Sequence, residues 1–227
     1  MEFIISTDFI EQLLFGLPVS DTLGGLSLNL SLSLLSFALG LFIAIPLASA
    51  RAFHIRFVSN IAVILTNTFR SIPLILLIFW VYYVIPSVFT INISLFTSAT
   101  IALLLHAGVY QSEIIRSGLK VTHEGQREAA KSLGLTATQI SLYITIPQTF
   151  KHVLMPMFSF YISLFKDTSH IYIIGMIDLI QVGVIYSQRQ PDNIFEAYIT
   201  MAICFLSVTV TSSLLSYWLE RRTKLIH

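Results

Sequence analysis

Long apolar runs dominate the chain, and charged residues gather between them. Nearly uncharged stretches cover residues 22–50, 57–85, 93–112, 152–177 and 197–219. A helix that crosses a bilayer needs roughly 20 mainly apolar residues, because the hydrocarbon layer is about 30 Å thick. The pattern therefore predicts an all-α membrane protein with five transmembrane helices. Lipid-facing strands are not expected, since backbone groups in hydrocarbon must be satisfied within their own segment. Pro86, Ser87 and Asn92 mark the turn between the second and third spans. Residues 1–21 read as a separate N-terminal segment, with Phe9, Ile10, Leu13, Leu14 and Leu17 at helical spacing. That segment is too short to span, so an interfacial helix ended by Pro18 is expected, followed by a transmembrane domain over 22–227. It opens Met1-Glu2 with no basic flank, which does not read as a cleaved signal peptide.

Composition agrees with this reading and removes several function classes. The chain is 55% hydrophobic and 11% charged, with a mean hydropathy of +0.80. Soluble domains carry about 25% charged residues. The net charge of +1 excludes an electrostatic nucleic-acid binder, which needs a clustered basic excess. The single cysteine, Cys204, excludes a disulfide framework or a cysteine-ligated metal. There is no H-E-x-x-H, no G-x-S-x-G and no carboxylate pair at helical spacing within a span. No catalytic residue, metal site or cofactor site is expected in this chain.

Basic residues set the orientation. Arg51, Arg56, Arg116, Lys120, Arg127, Lys131, Lys151, Arg221, Arg222 and Lys224 fall in one set of loops, and Arg189 alone in the other. The positive-inside rule then places the N-terminus outside and the C-terminus in the cytoplasm. The inner side carries one sizeable loop, residues 116–151, rich in helix signals. Thr122 can cap a first helix, with Glu124 in its first turn. Glu128 can pair with Lys131, Gly134 stops the helix, and Thr136-x-x-Gln139 opens a second as a capping box that Pro147 closes. The expected product is a helix–glycine–helix elbow offering Ala129, Ala130, Leu133 and Leu135 as a small apolar face. Such a face suits docking on a partner.

The same loop reads EAAKSLGLTATQISLYITIP from Glu128 to Pro147. This resembles the EAA signature of permease subunits of prokaryotic ABC importers, matched at Glu128, Ala129, Ala130, Gly134, Ile144 and Pro147. Ile146 stands where that family usually has Leu. FRSIPL (Phe69 to Leu74), HAGVYQSEIIRSGL (His106 to Leu119), KDTS (Lys166 to Ser169), FEAY (Phe195 to Tyr198) and LERR (Leu219 to Arg222) are similar to the polar amino-acid branch, with departures at Ser71 and Ile72. The resemblance implies a type I ABC importer permease fold in a bacterial inner membrane. It implies uptake of an amino acid by alternating access, and a coupling helix that meets a cytoplasmic ABC ATPase dimer at Glu128, Ala129, Ala130, Leu133, Gly134 and Leu135. It also implies a periplasmic or extracellular substrate-binding protein. No G-x-x-x-x-G-K-[ST] loop is present, so ATP and Mg belong to the partner ATPase and the chain is not itself an enzyme. Five spans enclose little space alone, so a second permease copy or a paralogue is expected. The rival reading is an ATP-independent secondary transporter or channel, though no paired internal repeat supports it.

Charges inside spans need an explanation, because each costs roughly 2.5–3.5 kcal/mol by insertion scales. Counted from the cytoplasmic edge at 1.5 Å per residue, Arg70 and Lys166 both lie about 20 Å deep. Lys166 is expected to face the translocation path, with Asp167 held by Arg70 or His170, against the alternative that the three brace helices. His106 is a further candidate for the path, weighed against ordinary bundle hydrogen bonding. Glu113 and Arg116, one turn apart, read first as a local pair anchoring the loop and second as a gate contact. Cys204 is expected to be packing, and Phe79, Trp80, Tyr82, Tyr83 and Trp218 interfacial anchors.

Overall fold

The computed structural model describes residues 7–17, 23–52, 56–122 and 124–224, and every regular element among them is helical. In chain order these are α1 (Thr7–Phe15), α2 (Gly25–Ala52), α3 (Arg56–Ser71), α4 (Leu74–Phe79), α5 (Ile85–Phe89), α6 (Leu95–Leu119), α7 (Glu124–Ser132), α8 (Ala137–Ile140), α9 (Ile146–Asp167), α10 (Leu179–Arg189) and α11 (Ile194–Lys224). Among the described residues, α2 and the stretch Pro191–Arg221 are long and apolar enough to cross a membrane alone. The second predicted span is not one helix. It breaks at Ile72-Pro73 into Phe57–Ser71 and Leu74–Phe89, bent by 101°, and only the pair together meets the requirement. Pro73 explains the break, since a proline pushes the residue before it out of helical geometry. α6 and α9, at 25 and 22 residues, have the length. Their apolar runs are diluted by His106 and Gln111, and by Lys151, His152 and Lys166.

Two prolines expected to end helices do not. Trp80–Val84 and Ser141–Thr145 are five-residue π-helical turns, each followed by Ile-Pro. A proline lacks an N–H and crowds the carbonyl four residues back. The wider π turn re-registers the ladder ahead of it, with Ile85 N–H on the Trp80 carbonyl and Ile146 N–H on that of Ser141. The helix therefore runs through Pro86 to Phe89 and turns at Thr90, whose φ is 51°. It likewise runs through Pro147, so the second helix of the loop continues into α9. α9 stops at Asp167 and tightens into a 3-10 turn over Thr168–Ile174, short of the expected Ile177.

The chain divides into two compact units. The first holds Met1–Phe37, Ile72–Leu104 and Tyr161–Leu215. Its core gathers Phe9 and Leu13 with Leu26, Phe165, Leu179, Val182, Ala197 and Met201. α1 is thus anchored by a buried face, with the Phe9 ring centroid 3.7 Å from that of Tyr186. It ends at Gly16, in the left-handed region at φ +95°, two residues before Pro18, which lies outside the described residues. Beside this core runs a buried polar network. Asn29 Nδ2 donates to Thr168 Oγ1 (3.0 Å) and to Asp178 Oδ2 (3.2 Å), and its Oδ1 accepts from Leu179 N–H (3.1 Å). Asp178 also caps α10 by accepting from Gln181 N–H at 2.9 Å, and Gly25 N–H meets the Ile177 carbonyl at 2.9 Å. One asparagine on α2 thereby ties the end of α9 to the start of α10.

The second unit holds Ala38–Ser71, Leu105–Phe160 and Ser216–His227. It contains the 116–151 loop, Arg70 and the Glu113 ion pairs. In both units, many hydroxyls in apolar helices bond back to their own backbone, while those of Ser36 and Ser98 are buried with no hydrogen-bond partner among the described residues. Ser207, Thr209, Thr211 and Ser213 on α11 each reach a carbonyl three or four residues earlier, at 2.7–2.8 Å. That arrangement lets a polar side chain meet lipid without an unsatisfied group. Cys204, half-buried beside the first unit's core, behaves as packing, as expected.

The network around Asn29 predicts a measurable difference between two α2 residues. Asn29→Ala leaves the buried Leu179 N–H without its partner and removes one bond each from Asp178 and Thr168, whose bonds to Gln181 N–H and the Phe165 carbonyl remain, and should cost about 1–3 kcal/mol in a thermal melt of the purified protein. Ser31→Ala, whose hydroxyl reaches only the Leu28 carbonyl, should stay within about 0.5 kcal/mol.

Candidate functional site

The 116–151 loop folds as a helical elbow from local rules. Thr136 and Gln139 form the capping box, with Gln139 N–H on Thr136 Oγ1 (3.3 Å) and Thr136 N–H on Gln139 Oε1 (2.8 Å). α7 ends in a Schellman turn: Gly134 N–H reaches the Lys131 carbonyl (2.9 Å) and Leu135 N–H that of Ala130 (3.1 Å). Gly134 has φ +82°, a conformation that a side chain would strain. The expected cap at Thr122 is absent. α7 starts at Glu124, one residue too late for Thr122 to be its cap, and the Thr122 hydroxyl is buried with no hydrogen-bond partner among the described residues. Nor do Glu128 and Lys131 pair among the described residues; Glu128 is exposed, and only its carbonyl is engaged, by Ser132 Oγ at 3.0 Å.

Two long-range bonds close the elbow at its base. Gln148 Nε2 donates to Gln126 Oε1 (3.1 Å), and Thr149 Oγ1 to the Gly118 carbonyl (3.3 Å). The predicted apolar face is then split. Ala130 is buried at 4% and Leu135 is partly buried, while Ala129 is exposed and Leu133 is 82% exposed. Exposed with Leu133 are Leu142, Tyr143, Ile146 and Phe150. Sequence reasoning missed these four. Their signal was the recurrence of Leu142, Ile146 and Phe150 every four residues beyond the capping box, hidden by the expectation that Pro147 ended the helix.

At the base of the loop, Glu113 is a hub. Arg116 donates to its Oε1 through Nε (2.9 Å) and again through Nη2, and Arg51 Nη1 reaches its Oε2 at 2.7 Å. The sequence pointed to Glu113–Arg116; Arg51, sixty-two positions away, was not legible as a partner. Glu113 lies beyond the apolar stretch 93–112. Burial pushes its carboxyl upward, but the Arg116 hydrogen bond and the Arg51 and Arg116 charges outweigh that and hold it below the usual range.

The charges predicted within spans fall in different units. Arg70 closes α3 and lies over the Tyr110 ring, 5.2 Å from its centroid. Tyr110 is 4.7 Å from His106 and stacks on Phe160 at 5.8 Å, so the second unit joins Arg70, His106, Tyr110 and Phe160 in one cation–aromatic row. Lys166 and Asp167 belong to the first unit, at the end of α9, where Lys166 is exposed. His170 Nδ1 meets the Asp167 backbone carbonyl at 2.9 Å. In the first unit a cavity of about 490 Å³ is lined by Leu23, Leu28, Leu95, Phe96, Met176, Ile177, Gly175 and Ser94. Its described lining carries no charged side chain and one hydroxyl, that of Ser94.

A family model described as the binding-protein-dependent transport system inner membrane component matches residues 36–225. The chain is 32% identical over 200 residues to the probable glutamine ABC transporter permease protein GlnP of Bacillus subtilis, covering 87% of this chain and 91% of that one. It is 29% identical over 205 residues to the glutamine transport system permease protein GlnP of Escherichia coli, covering 89% and 92%. Among solved structures, an amino acid ABC transporter with histidines superposes with a TM-score of 0.79 at 30% identity, over 86% of this chain and 90% of that chain. The MetNI methionine ABC transporter, at 18% identity over 86% and 93%, gives a TM-score of 0.71, a likeness of fold.

The Glu113 hub has a pH signature. A carboxyl lowered in the folded state stabilises above its unfolded pKa, and that stability is lost as pH falls through the folded value. Glu113→Gln should therefore melt below the unaltered protein at neutral pH, with the gap closing as pH drops beneath the ordinary glutamate range. A gap independent of pH would refute the ion-pair account.

Proposed function

The chain belongs to the family of binding-protein-dependent transport-system inner membrane components and has the fold of type I ABC importer permeases, and from that membership we propose that it carries an amino acid into the cytoplasm as the permease subunit of an ATP-driven importer. The observation that carries this reading is the exposed apolar surface of the elbow, led by Leu133 with Tyr143 and Phe150, on a scaffold braced at both ends. An apolar surface on a basic cytoplasmic loop suits a groove on a soluble partner. That partner is a cytoplasmic ATPase dimer, which alone supplies ATP and Mg chemistry. A second permease copy or paralogue completes the path, and a binding protein delivers substrate from outside. The assembly sits in a bacterial inner membrane as a multi-pass protein.

In this mechanism the elbow acts as a lever's short arm. Closure of the ATPases displaces α7 and α8, and the unbroken run from α8 through the π turn into α9 carries the displacement along a helix about 33 Å long. The Glu113 hub fixes the other side of the loop to α2 and α6. Nucleotide shifts the equilibrium only as far as it favours one state over the other, so docking geometry rather than docking strength sets the stroke. The substrate's carboxylate finds its counter-charges at Arg70 and Lys166, which the amino-acid reading requires to face the path.

Two experiments test this. Leu133→Glu or Glu128→Lys should reduce co-purification of the ATPase and amino-acid uptake at least about tenfold, equivalent to about 1.4 kcal/mol of docking energy. Uptake that persists without the ATPase and follows an ion gradient would refute the reading. Lys166→Met and Arg70→Met should each lower uptake about tenfold or more in a complex that still assembles; loss of assembly instead would assign them to helix bracing.

A further inference from the structure

α3 has three distinct sides. At about 100° per residue, Ala62 and Thr66 define a buried side, and Phe57, Val58, Ile61 and Leu65 an exposed apolar side suited to lipid. The remaining arc, about 100° wide, carries Asn60, Asn67, Arg70 and Ser71, all exposed, with Val63 half-buried among them and exposed Ile64 at its border, while Thr68 lies on the apolar side. Thr66 returns its hydroxyl to the Ala62 carbonyl at 2.7 Å and Ser71 to that of Asn67 at 2.8 Å. An asparagine amide has two donors and two acceptor positions and cannot be satisfied this way. The Asn60 and Asn67 side chains have no hydrogen-bond partner among the described residues. Asn67 lies about 15 Å and Arg70 about 20 Å along the helix from Phe57. Lipid cannot cover that arc at tolerable cost.

We propose that the arc Asn60–Asn67–Ser71, leading to Arg70, is a polar wall of the translocation path, wetted in the assembled protein and serving a small solute that bears a carboxylate. Arg70 supplies the one charge described on this arc, and it is positive. The amides can donate to a carboxylate or accept from an ammonium, so they pass a zwitterion without trapping either end. The Tyr110 ring beneath Arg70 continues the wall onto α6, and His106 extends it. The proposal rests on the permease reading above and adds which helix side faces water.

Thiol labelling tests it, because Cys204 is the chain's one cysteine. In a Cys204→Ser background, expressed with its partner subunits, Asn60→Cys, Asn67→Cys and Ser71→Cys would be compared with Ile61→Cys and Leu65→Cys. The probe is a membrane-impermeant methanethiosulfonate carrying a sulfonate, applied to vesicles of both orientations. The polar-arc positions should react at least tenfold faster than the apolar-side positions. Equal rates would overturn the proposal, and so would a spontaneous disulfide between two copies at Asn67→Cys, which would make the arc a protomer contact. Ser71→Cys, the smallest change, carries the test if an asparagine variant fails to assemble. ATP-driven uptake by the Cys204→Ser complex, measured alongside, separates the two claims. Fast labelling without ATP-driven uptake refutes the importer and keeps the wall, and the reverse refutes the wall alone.

Discussion

Hydrocarbon cannot hydrogen-bond, so every polar group in an apolar stretch must find its partner inside the protein or meet water. Much of the architecture follows from that demand. Backbone groups are met by helices, and hydroxyls on α11 by carbonyls of the same helix. At Ile85-Pro86 and again at Ile146-Pro147 a π turn precedes the proline, whereas Pro46 and Pro156 sit inside continuous α-helix. Where α9 gives way to a 3-10 turn, Asn29 reaches across to Thr168, Asp178 and Leu179. Among the described residues the exceptions are the buried hydroxyls of Ser36 and Ser98 and the polar side of α3, where Asn60 and Asn67 are unpaired and Arg70 meets only the Tyr110 ring.

The 116–151 loop lies under the opposite regime. Water satisfies its polar groups, so its shape comes from turn chemistry: a capping box at Thr136, a left-handed glycine at Gly134, and two side-chain bonds to its base. Its apolar side chains are what water leaves unsatisfied. Leu133 at 82% exposure is a large apolar residue held out by a rigid turn, and a docking partner would gain from covering it.

The two regimes meet in α9 and at Glu113. Because the helix does not end at Pro147, loop and membrane share one continuous element. Because Glu113 accepts from both Arg51 and Arg116, the end of α2 is tied to the end of α6 beside the loop. A partner that moves the elbow therefore acts on helices and not on a flexible tether.

Composition and periodicity alone establish an all-helical membrane chain and its basic loops, because hydropathy over some twenty residues is a property of the sequence. The elbow was legible as well, since capping boxes and glycine stops are local, and the signature from Glu128 to Pro147 pointed to the family that the matches then showed. Distant partners were not legible. Arg51 on Glu113, Asn29 on Asp178, and Tyr110 under Arg70 join residues far apart in sequence, and no local pattern encodes which helix faces meet. Helix ends at prolines were misjudged for a related reason: the π turns that carry the helix through Pro86 and Pro147 have no local signature in the sequence. The burial of Phe9 and Leu13 of α1 in a core likewise belongs to tertiary contact, as they look the same in sequence whether they meet lipid or Leu179.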